Sequence, residues 1–452
     1  MSGSMSVDAI SPAERARLEK KFPEVFSKGI VQRWGLPIGI GATVLYLVFC
    51  WFFFNVGPAL HNGKWDRAAI MLQDWYSWRA QPRLRFEDGA VVPQWSSRGQ
   101  YPEGAAIEWL VPGEDGTMTV TFGSDADRLE VATDAVEVFI EGTPYTVVIT
   151  EDAALAPENA PPSLVQDRQK VVVDYGFEGQ AEIRTNQVYV QRRFFGWANF
   201  LYDPRSVLWG NDVFSTIGLV FSGDRVDPAR ANAQLVLDEW LGNRAWQHAD
   251  ILAKLMQTLV MAFVGTLFAT LVAFPLAFFA ARNITASRPV NWLMKRFFDF
   301  IRSVDMLIWA LFFTRGFGPG PIPGIAAIFF TDTGTLGKVY AEALENVDDR
   351  QREGMRSVGA SPAAVNRFGV VPQVLPVFVS QSLYFWESNT RSATIIGAVG
   401  AGGIGLKLLE AMGTNSDWDK VAYMVLLILV VVFVFDNLST AIRSRLIGTN
   451  AH

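Results

Sequence analysis

Two stretches of this 452-residue chain, residues 34–60 and 255–281, each run for 27 positions without a charged side chain. The hydrocarbon core of a bilayer is about 30 Å thick, so a helix needs about 20 apolar residues to cross it. Both stretches are therefore predicted to span a membrane. The first is predicted to be an uncleaved helix that follows a basic N-terminal helix on the cytoplasmic side, within residues 1–33.

Four weaker apolar segments follow in the last third of the chain. They are residues 297–317, 321–344, 368–386 and 421–435, and the first of them contains four charged side chains. Charges inside a span are tolerated where they face the interior of a helix bundle or a water-filled path. We therefore predict an all-α polytopic membrane protein with six transmembrane helices. One helix lies at 34–60 and five lie in a core at 251–447.

The distribution of charge predicts the orientation of these helices. Lys and Arg in short loops collect on the cytoplasmic side of a membrane. With six spans, the basic N-terminal segment, the Arg-rich loop before the fifth span and the basic C-terminal segment all fall on one side. Both termini are therefore predicted to be cytoplasmic, and the segment 61–250 is predicted to lie on the outer side of the membrane.

An acidic region within that outer segment has the pattern of β-strands. Residues 86–200 carry 19 acidic and seven basic side chains, a net charge of −12, whereas the rest of the chain is net +6. Apolar and polar residues alternate at 117–122, 136–141, 145–150, 170–175, 180–184 and 187–192. We predict a small antiparallel β domain at about 86–200, inserted between helices 1 and 2. The net charge of the whole chain is −6, so nucleic acid is not an expected partner.

The sequence lacks the residue patterns of common enzymes. Its three histidines do not form a His-Glu-x-x-His zinc motif, and its single cysteine, Cys50, lies inside an apolar segment. Residues 400–405 match Gly-x-Gly-x-x-Gly, but a dinucleotide site needs a soluble βαβ unit, and this match lies between two predicted spans. Neither a metal nor a cofactor is expected in this chain.

The same glycines predict an irregular turn at membrane depth. Such backbone is tolerated in a membrane only where it lines a cavity or is buried in protein. The predicted gate or turn comprises Gly397, Gly400, Gly402, Gly403 and Gly405. Two interpretations remain open, because exposed amides in such a turn can bind an anion, or the glycines can simply permit a close-packed bend.

A helix–turn–helix is predicted in the loop at about 341–372. Residues 341–355 have helical composition, and Gly359 is placed to end that helix in a left-handed conformation. Ser361 can then cap a new helix that has Pro362 at its first position. An exposed, Arg-rich element of this kind suits docking on a partner, and the alternative is an ordinary solvated loop.

This loop resembles that of a known family. Glu353-Gly354-Met355-x3-Gly359-x9-Gly369-Val370-Val371-Pro372 resembles the E-A-A-x3-G-x9-I-x-L-P loop of ABC-importer permeases, with both alanines replaced. Residues 389–405 and 257–283 are similar to blocks typical of phosphonate/phosphite importer permeases. The resemblance covers 245–447 and, more loosely, 30–60. It does not cover the acidic region.

The resemblance implies a transport subunit of the bacterial inner membrane that does no covalent chemistry. It implies a second copy of the chain, or a homologous permease, as one partner, together with two ATPase subunits that carry ATP-Mg and a periplasmic substrate-binding protein. The loop residues implied to dock on the ATPase are Arg352, Glu353, Gly354, Met355, Gly359, Ala360, Ser361 and Pro362.

An anionic substrate implies a path that offers cations and hydrogen-bond donors. The candidate path residues are Arg391, Ser392, Thr394, Arg302, Ser303 and Gln257. The alternative for each arginine is an ion pair within its own helix, Arg391 with Glu387, or Arg302 with Asp299 or Asp305.

The implied function is ATP-driven import of phosphonate or a related phosphorus oxyanion by alternating access. Alternatives are a permease for another small solute such as methionine, a membrane-anchored sensor or adaptor, and an intramembrane enzyme. No cytoplasmic segment is long enough for a signalling domain, and no span carries a convincing catalytic constellation.

Overall fold

The computed structural model describes residues 12–21, 30–87, 89–95, 101–102, 104–113, 115–414 and 417–447. The chain divides into two compact units, Met1–Ile70 and Met71–His452. Parts of the predicted N-terminal helix, residues 1–11 and 22–29, lie outside the described residues. The part that is described, α1, spans Pro12–Lys21.

The first unit contains the predicted first span, in a shorter form. Helix α2 spans Ile30–Phe53, and its segment Trp34–Phe53 is apolar enough to cross a membrane. The backbone of Asn55 is left-handed, with φ of 49°, so the helix ends before the predicted residue 60. A short helix α3, Val56–His61, and a helix α4, Trp65–Gln73, follow.

The β-rich region of the second unit consists, among the described residues, of 13 strands in two antiparallel sheets. The strands are β1 Ser77–Ala80, β2 Arg83–Glu87, β3 Ala90–Gln94, β4 Leu110–Pro112, β5 Met118–Phe122, β6 Ser124–Val131, β7 Ala135–Ile140, β8 Thr143–Ile149, β9 Ala154–Leu155, β10 Leu164–Asp167, β11 Lys170–Asp174, β12 Gly179–Ile183 and β13 Gln187–Phe195. One sheet has the order β10-β11-β12-β13-β2-β3, with β1 also paired to β13. The other has the order β4-β5-β6-β7-β8-β9.

The two sheets share one apolar core, which follows from the alternation of their strands. Every second residue of β5 is buried, and Val171 and Val173 of β11 are buried with Val188 and Val190 of β13. Side chains from both sheets belong to the same buried cluster. The alternation in the sequence therefore predicted these strands correctly, but the first strands begin at Ser77, earlier than the predicted boundary of 86.

The rest of the second unit is helical. Its helices are α5 Val213–Ser222, α6 Asn232–Leu241, α7 His248–Ala280, α8 Arg288–Ser303, α9 Met306–Phe317, α10 Pro321–Glu345, α11 Asp349–Ser357, α12 Pro362–Ala364, α13 Val371–Ile396, α14 Gly403–Gly413 and α15 Trp418–Ile447. The all-α description therefore holds only for the helical segment of this unit. The chain as a whole combines helices with two sheets.

Four helical stretches of the described residues are long and apolar enough to cross a membrane. They are Trp34–Phe53, His248–Ala280, Pro362–Ala401 and Trp418–Arg445. The six-helix count and its core of five helices at 251–447 therefore stay a prediction. What the structure does show is several apolar helices that can span a bilayer.

Two predicted helices are interrupted, in both cases by a capping residue. The predicted span 297–317 is wrong as one helix, because the Asp305 carboxylate accepts a hydrogen bond from the Leu307 amide at 2.8 Å and begins α9. The predicted helix 341–355 is likewise wrong, since α10 ends at Glu345 and Asp348 caps α11 through the Arg350 amide. Short polar side chains compete with helical backbone bonds in this way.

The long helices pack closely because their contact faces carry small residues. Helix α7 buries alanines at 262, 269, 273, 277 and 280. A Cβ on its Gly265 would lie 2.7 Å from Ile328 of α10, and one on Gly334 of α10 would lie 2.9 Å from the backbone of α8. Small residues let the helix backbones approach closely. The resulting van der Waals contacts favour helix association in lipid, where the hydrophobic effect does not drive it.

Candidate functional site

The predicted glycine turn joins α13 to α14 and is irregular, as expected. A segment of π-helix, Gly397–Ala401, follows α13 and is interrupted by non-helical backbone at Val399 and Gly400. Gly400, Gly402 and Gly403 have φ of 102°, 80° and 71°. These values lie in the left-handed region, which glycine adopts without a steric penalty.

This turn is held where α7, α13, α14 and the loop before α10 meet. The Gly320 amide donates to the Gly400 carbonyl at 3.0 Å. The Ile404 amide, at the start of α14, donates to the Thr258 hydroxyl of α7 at 2.9 Å. Gln257 also lies here, because its Nε2 would be 3.5 Å from a Cβ on Gly402.

Close packing accounts for most of the glycines of this turn. A Cβ on Gly397 would overlap the Gly402 carbonyl oxygen, and one on Gly405 would overlap the Thr394 carbonyl oxygen. A Cβ on Gly403 would overlap the Thr258 hydroxyl. Because Thr258 already accepts from the Ile404 amide, the geometry favours the close-packed bend over an open anion nest.

The loop between α10 and α13 has the cap geometry predicted for it. Gly359 has φ of 79°, so it ends the turn after α11 in the left-handed conformation. The Ser361 hydroxyl accepts a hydrogen bond from the Ala364 amide at 3.4 Å, and Pro362 begins α12. A segment of π-helix, Val365–Val370, then leads into α13. These local predictions are confirmed.

Arg352 is not exposed, and its predicted place on an outer docking face is wrong. Its side chain is only 8% exposed, and its guanidinium donates to the Asn283 carbonyl at 2.6 Å and to the Asp349 carboxylate at 2.9 Å. Asn283 follows α7, so Arg352 ties α11 to the end of that helix. Sequence spacing cannot show which side of a nine-residue helix faces its neighbour.

The outer face of the loop is formed by other residues. Val358 is 79% exposed and Phe368 is 62% exposed. Exposed residues also include Glu353, Gly354, Gly359, Ser361 and Pro362, whereas Met355 and Ala360 are half-buried. A Cβ on Gly369 would lie 3.4 Å from Met355, so the two arms of the loop pack on each other. The exposed surface of the loop therefore combines the apolar side chains of Val358 and Phe368 with the charged side chain of Glu353.

The two predicted path arginines pair with carboxylates. Arg391 lies 3.4 Å from Asp436 of α15 and 3.8 Å from Glu387, one turn earlier in α13. Arg302 lies 3.6 Å from Asp299, in its own helix. Both arginines remain partly exposed, but the ion-pair alternatives for them are present in the structure.

The predicted hydroxyl groups of the path bond to their own helices. Ser303 donates to the Phe300 carbonyl at 2.7 Å, and Ser392 donates to the Ser388 carbonyl at 3.3 Å. Thr394 donates to the Thr390 carbonyl at 3.4 Å. Of the predicted path residues, Gln257 and Thr394 lie at the glycine turn.

Sequence reasoning missed Asp332, which belongs to a buried polar cluster in the bundle. The Asn389 amide of α13 donates to the Thr266 hydroxyl of α7 at 2.7 Å and to the Asp332 carboxyl of α10. All three side chains are at most 3% exposed. An ionisable residue inside a predicted span is a functional candidate, and this rule would have identified Asp332.

Comparison with known proteins identifies the family of the helical segment. Residues 273–448 match the family described as "Binding-protein-dependent transport system inner membrane component". The phosphite transport system permease protein PtxC of Stutzerimonas stutzeri is 37% identical over 208 residues, which cover 46% of this chain and 73% of that protein. HtxC of the same organism, also assigned to phosphite transport, is 36% identical over 193 residues, covering 43% and 68%.

A third relative is the phosphate-import permease protein PhnE of Mycolicibacterium smegmatis. It is 35% identical over 198 residues, which cover 44% of this chain and 37% of that protein. The chain therefore belongs to the family of inner-membrane components of binding-protein-dependent transport systems. Within that family it is similar to ABC permeases named for phosphite and phosphate, and it is a multi-pass membrane protein and a transport subunit rather than an enzyme.

Proposed function

We propose that this permease moves phosphonate or a related phosphorus oxyanion, such as phosphite, from the periplasm to the cytoplasm. The observation that carries the proposal is the identity of 35–37% to relatives whose names specify phosphite or phosphate. The matched region contains the glycine turn and the loop between α10 and α13. A permease for another solute, such as methionine, is the alternative that the experiment below separates.

The proposed assembly contains two copies of this chain, or one copy and a homologous permease. Two ATPase subunits bind ATP-Mg on the cytoplasmic side, and a periplasmic binding protein delivers the substrate. In the proposed topology, six helices cross the membrane and both termini are cytoplasmic. The β-rich region then lies in the periplasm, opposite the loop between α10 and α13.

The proposed ATPase-docking surface is the outer face of that loop. Its exposed apolar side chains, Val358 and Phe368, can enter a groove of the ATPase, and the exposed Glu353 adds charge beside them. Arg352 has a positioning role, because its bonds to Asn283 and Asp349 join the docking element to α7. Movement of the ATPases is then transmitted to the bundle.

The glycine turn is proposed to act as the gate of the path. It is the point at which the helices α7, α13 and α14 meet the loop before α10, and several of its glycines leave no room for a side chain. A small relative movement of α7 and α14 would therefore change the space at this turn. Alternating access is a population shift between two such arrangements, driven by ATP on the partner.

The test is ATP hydrolysis by the complete importer in lipid. The chain, its ATPase and its binding protein are reconstituted, and hydrolysis is recorded with methylphosphonate, phosphite, phosphate or methionine. A phosphorus oxyanion is expected to stimulate hydrolysis. Stimulation by methionine alone would refute the substrate class, and failure of any ATPase to associate would refute the proposed assembly.

A pair of variants tests the docking surface. Glu353→Arg is expected to abolish substrate-stimulated hydrolysis, because it reverses a charge on the exposed face of α11. Glu151→Arg makes the same change at an exposed residue of the β-rich region and is expected to leave stimulation intact. Equal stimulation in both variants would remove Glu353 from the docking surface.

A further inference from the structure

Helix α5, Val213–Ser222, presents an unusually apolar face to its surroundings. None of its ten residues is charged. Phe214 is 82% exposed, Phe221 is 84% exposed and Ile217 is 50% exposed. Residues three and four apart share one side of a helix, so these three side chains form a single stripe. Exposed aromatic residues in this arrangement indicate a surface that is covered in the working protein.

The opposite side of α5 is fixed to the protein. Tyr202, Leu208 and Leu235 form a buried cluster against which Leu219 of α5 packs. The Tyr202 hydroxyl lies 3.0 Å from the Thr216 hydroxyl of α5. The helix is therefore a packed element with a defined outward side.

Both ends of α5 are capped, which adds to its rigidity. At the N-terminus, the Asp212 carboxylate accepts a hydrogen bond from the Ser215 amide at 2.7 Å. At the C-terminus, the buried Asn232 side chain donates to the carbonyls of Leu219 and Asp224, each at 2.9 Å. The exposed stripe is therefore presented at a fixed orientation.

The position of α5 is tied to the end of a membrane-spanning helix. Tyr202, which contacts α5, is two residues from Phe200, and the Phe200 carbonyl lies 2.8 Å from Nε2 of His248, the first residue of α7. Aromatic rings surround this point, as they do at the boundary between lipid and water. The rings in mutual contact are Trp197, Phe200, Trp240, Trp246, His248 and Tyr423.

We propose that α5 lies in the membrane interface and inserts its apolar stripe among the lipids. An interfacial helix has an apolar face that enters the boundary between headgroups and acyl chains, and polar residues that stay outside it. The charges next to α5, at Asp212, Asp224 and Arg225, flank its apolar segment. The segment between the β-rich region and α7 would therefore contact the membrane through α5.

Lipid is favoured over a protein partner by two observations. α5 is linked to the first residue of α7 through Tyr202 and Phe200, and further along α7 the side chains Met256 and Val260 are exposed and apolar. The apolar surface that α7 offers to lipid therefore begins within a few helical turns of the point to which α5 is tied. Large exposed apolar residues without any charge among them suit hydrocarbon, whereas interfaces with soluble proteins contain more polar groups. The proposal is independent of the substrate and of the side on which the β-rich region lies.

The test uses a fluorescent label on single cysteines. In a Cys50→Ala background, Phe214→Cys or Phe221→Cys is labelled with bimane in the full-length protein, in nanodiscs made with or without brominated phosphatidylcholine. Both replaced side chains are exposed, so their loss removes little packing. We expect bimane emission to be lost in brominated lipid and to resist aqueous iodide. Thr146→Cys, at an exposed residue of β8, is the matched control and should show the opposite pattern.

Two other outcomes overturn the proposal. Quenching of the α5 labels by iodide alone would show that the stripe faces water. Protection from both quenchers would show that another protein surface, such as a second copy of the chain, covers it. A label at Ile217→Cys gives an independent measurement on the same stripe, so the result does not depend on one variant.

Discussion

The glycine turn makes a prediction in which two similar substitutions act in opposite directions. Gly405 and Gly413 both lie in α14. A Cβ on Gly405 would overlap the Thr394 carbonyl oxygen and lie 2.9 Å from the Ala398 amide nitrogen. A Cβ on Gly413 would meet no atom of the described residues within 4 Å. Alanine should therefore be excluded at the first position and tolerated at the second.

The magnitudes follow from these contacts. Ordinary contacts of a Cβ begin at about 3.4 Å, so the Ala398 contact of Gly405→Ala alone requires a shift of about 0.5 Å, and the overlap with the Thr394 carbonyl oxygen of α13 requires a larger one. Overpacking of this kind costs about 1–3 kcal/mol, and the upper part of that range applies because the clashing atoms are backbone. Alanine has a better helix propensity than glycine, and this difference offsets about 1 kcal/mol of that cost. The net loss is about 2 kcal/mol for Gly405→Ala, whereas Gly413→Ala gains up to about 1 kcal/mol.

The assay is the apparent melting temperature of each purified variant in detergent, together with substrate-stimulated ATP hydrolysis in lipid. Gly405→Ala should melt below the wild type and lose stimulation, and Gly413→Ala should melt at or above it and keep stimulation. The packing argument is refuted if Gly405→Ala melts as high as Gly413→Ala. If stability falls but stimulation persists, the turn is structural and does not act as a gate.

Three further predictions concern buried or charged groups. Asn389→Leu should lower the stability by about 1–3 kcal/mol, because it removes a hydrogen-bond donor from the buried Asp332, and melting in detergent measures this loss. Arg352→Met should reduce coupled ATP hydrolysis by freeing α11 from Asn283, while ATPase association is retained in pull-down. Burial by itself raises the pKa of Glu182, but hydrogen bonds from neighbouring basic side chains lower it below its usual value. The stabilisation from Glu182 should be present above its unfolded pKa of about 4.3 and lost as the pH falls through the folded value, as circular dichroism can record.

Matched variants make these predictions specific. Ser392→Ala, on the same helix as Asn389, should change stability little, because its hydroxyl is only half-buried and bonds within its own helix. Arg350→Met, at an exposed position of α11, should leave coupling closer to the wild type than Arg352→Met. Glu182→Gln should flatten the acid dependence of the β-rich region. The opposite ranking in any pair would contradict the corresponding structural reason.

Much of the architecture follows from local sequence signals. The long uncharged stretch 255–281 lies almost wholly in one helix, because a continuous apolar run has few alternatives to a helix. The alternating stretches 117–122 and 187–192 are strands with one side buried. The caps at Gly359 and Ser361 also depend only on neighbouring residues. All of these signals act over a few residues, so the sequence contains them directly.

The positions of side chains between helices could not be obtained in this way. The sequence indicates that Arg352 is charged, but not that α11 turns it toward the carbonyl of Asn283. It likewise does not show that Asp332 and Asn389, 57 positions apart, meet inside the bundle. Each contact depends on the rotation and crossing of helices whose packing energies come from many distant residues at once.

The sequence by itself determined which segments are apolar enough to span a membrane, where an acidic β-rich insertion lies and which family the helical segment resembles. These properties depend on composition, periodicity and short motifs. Only the tertiary structure decided that the glycines of the turn are packed against α7, that the arginines pair with carboxylates, and that α5 turns three large apolar side chains outward. The physical reason is that burial and exposure are set by neighbours in space, and those neighbours are known only once the helices have been placed.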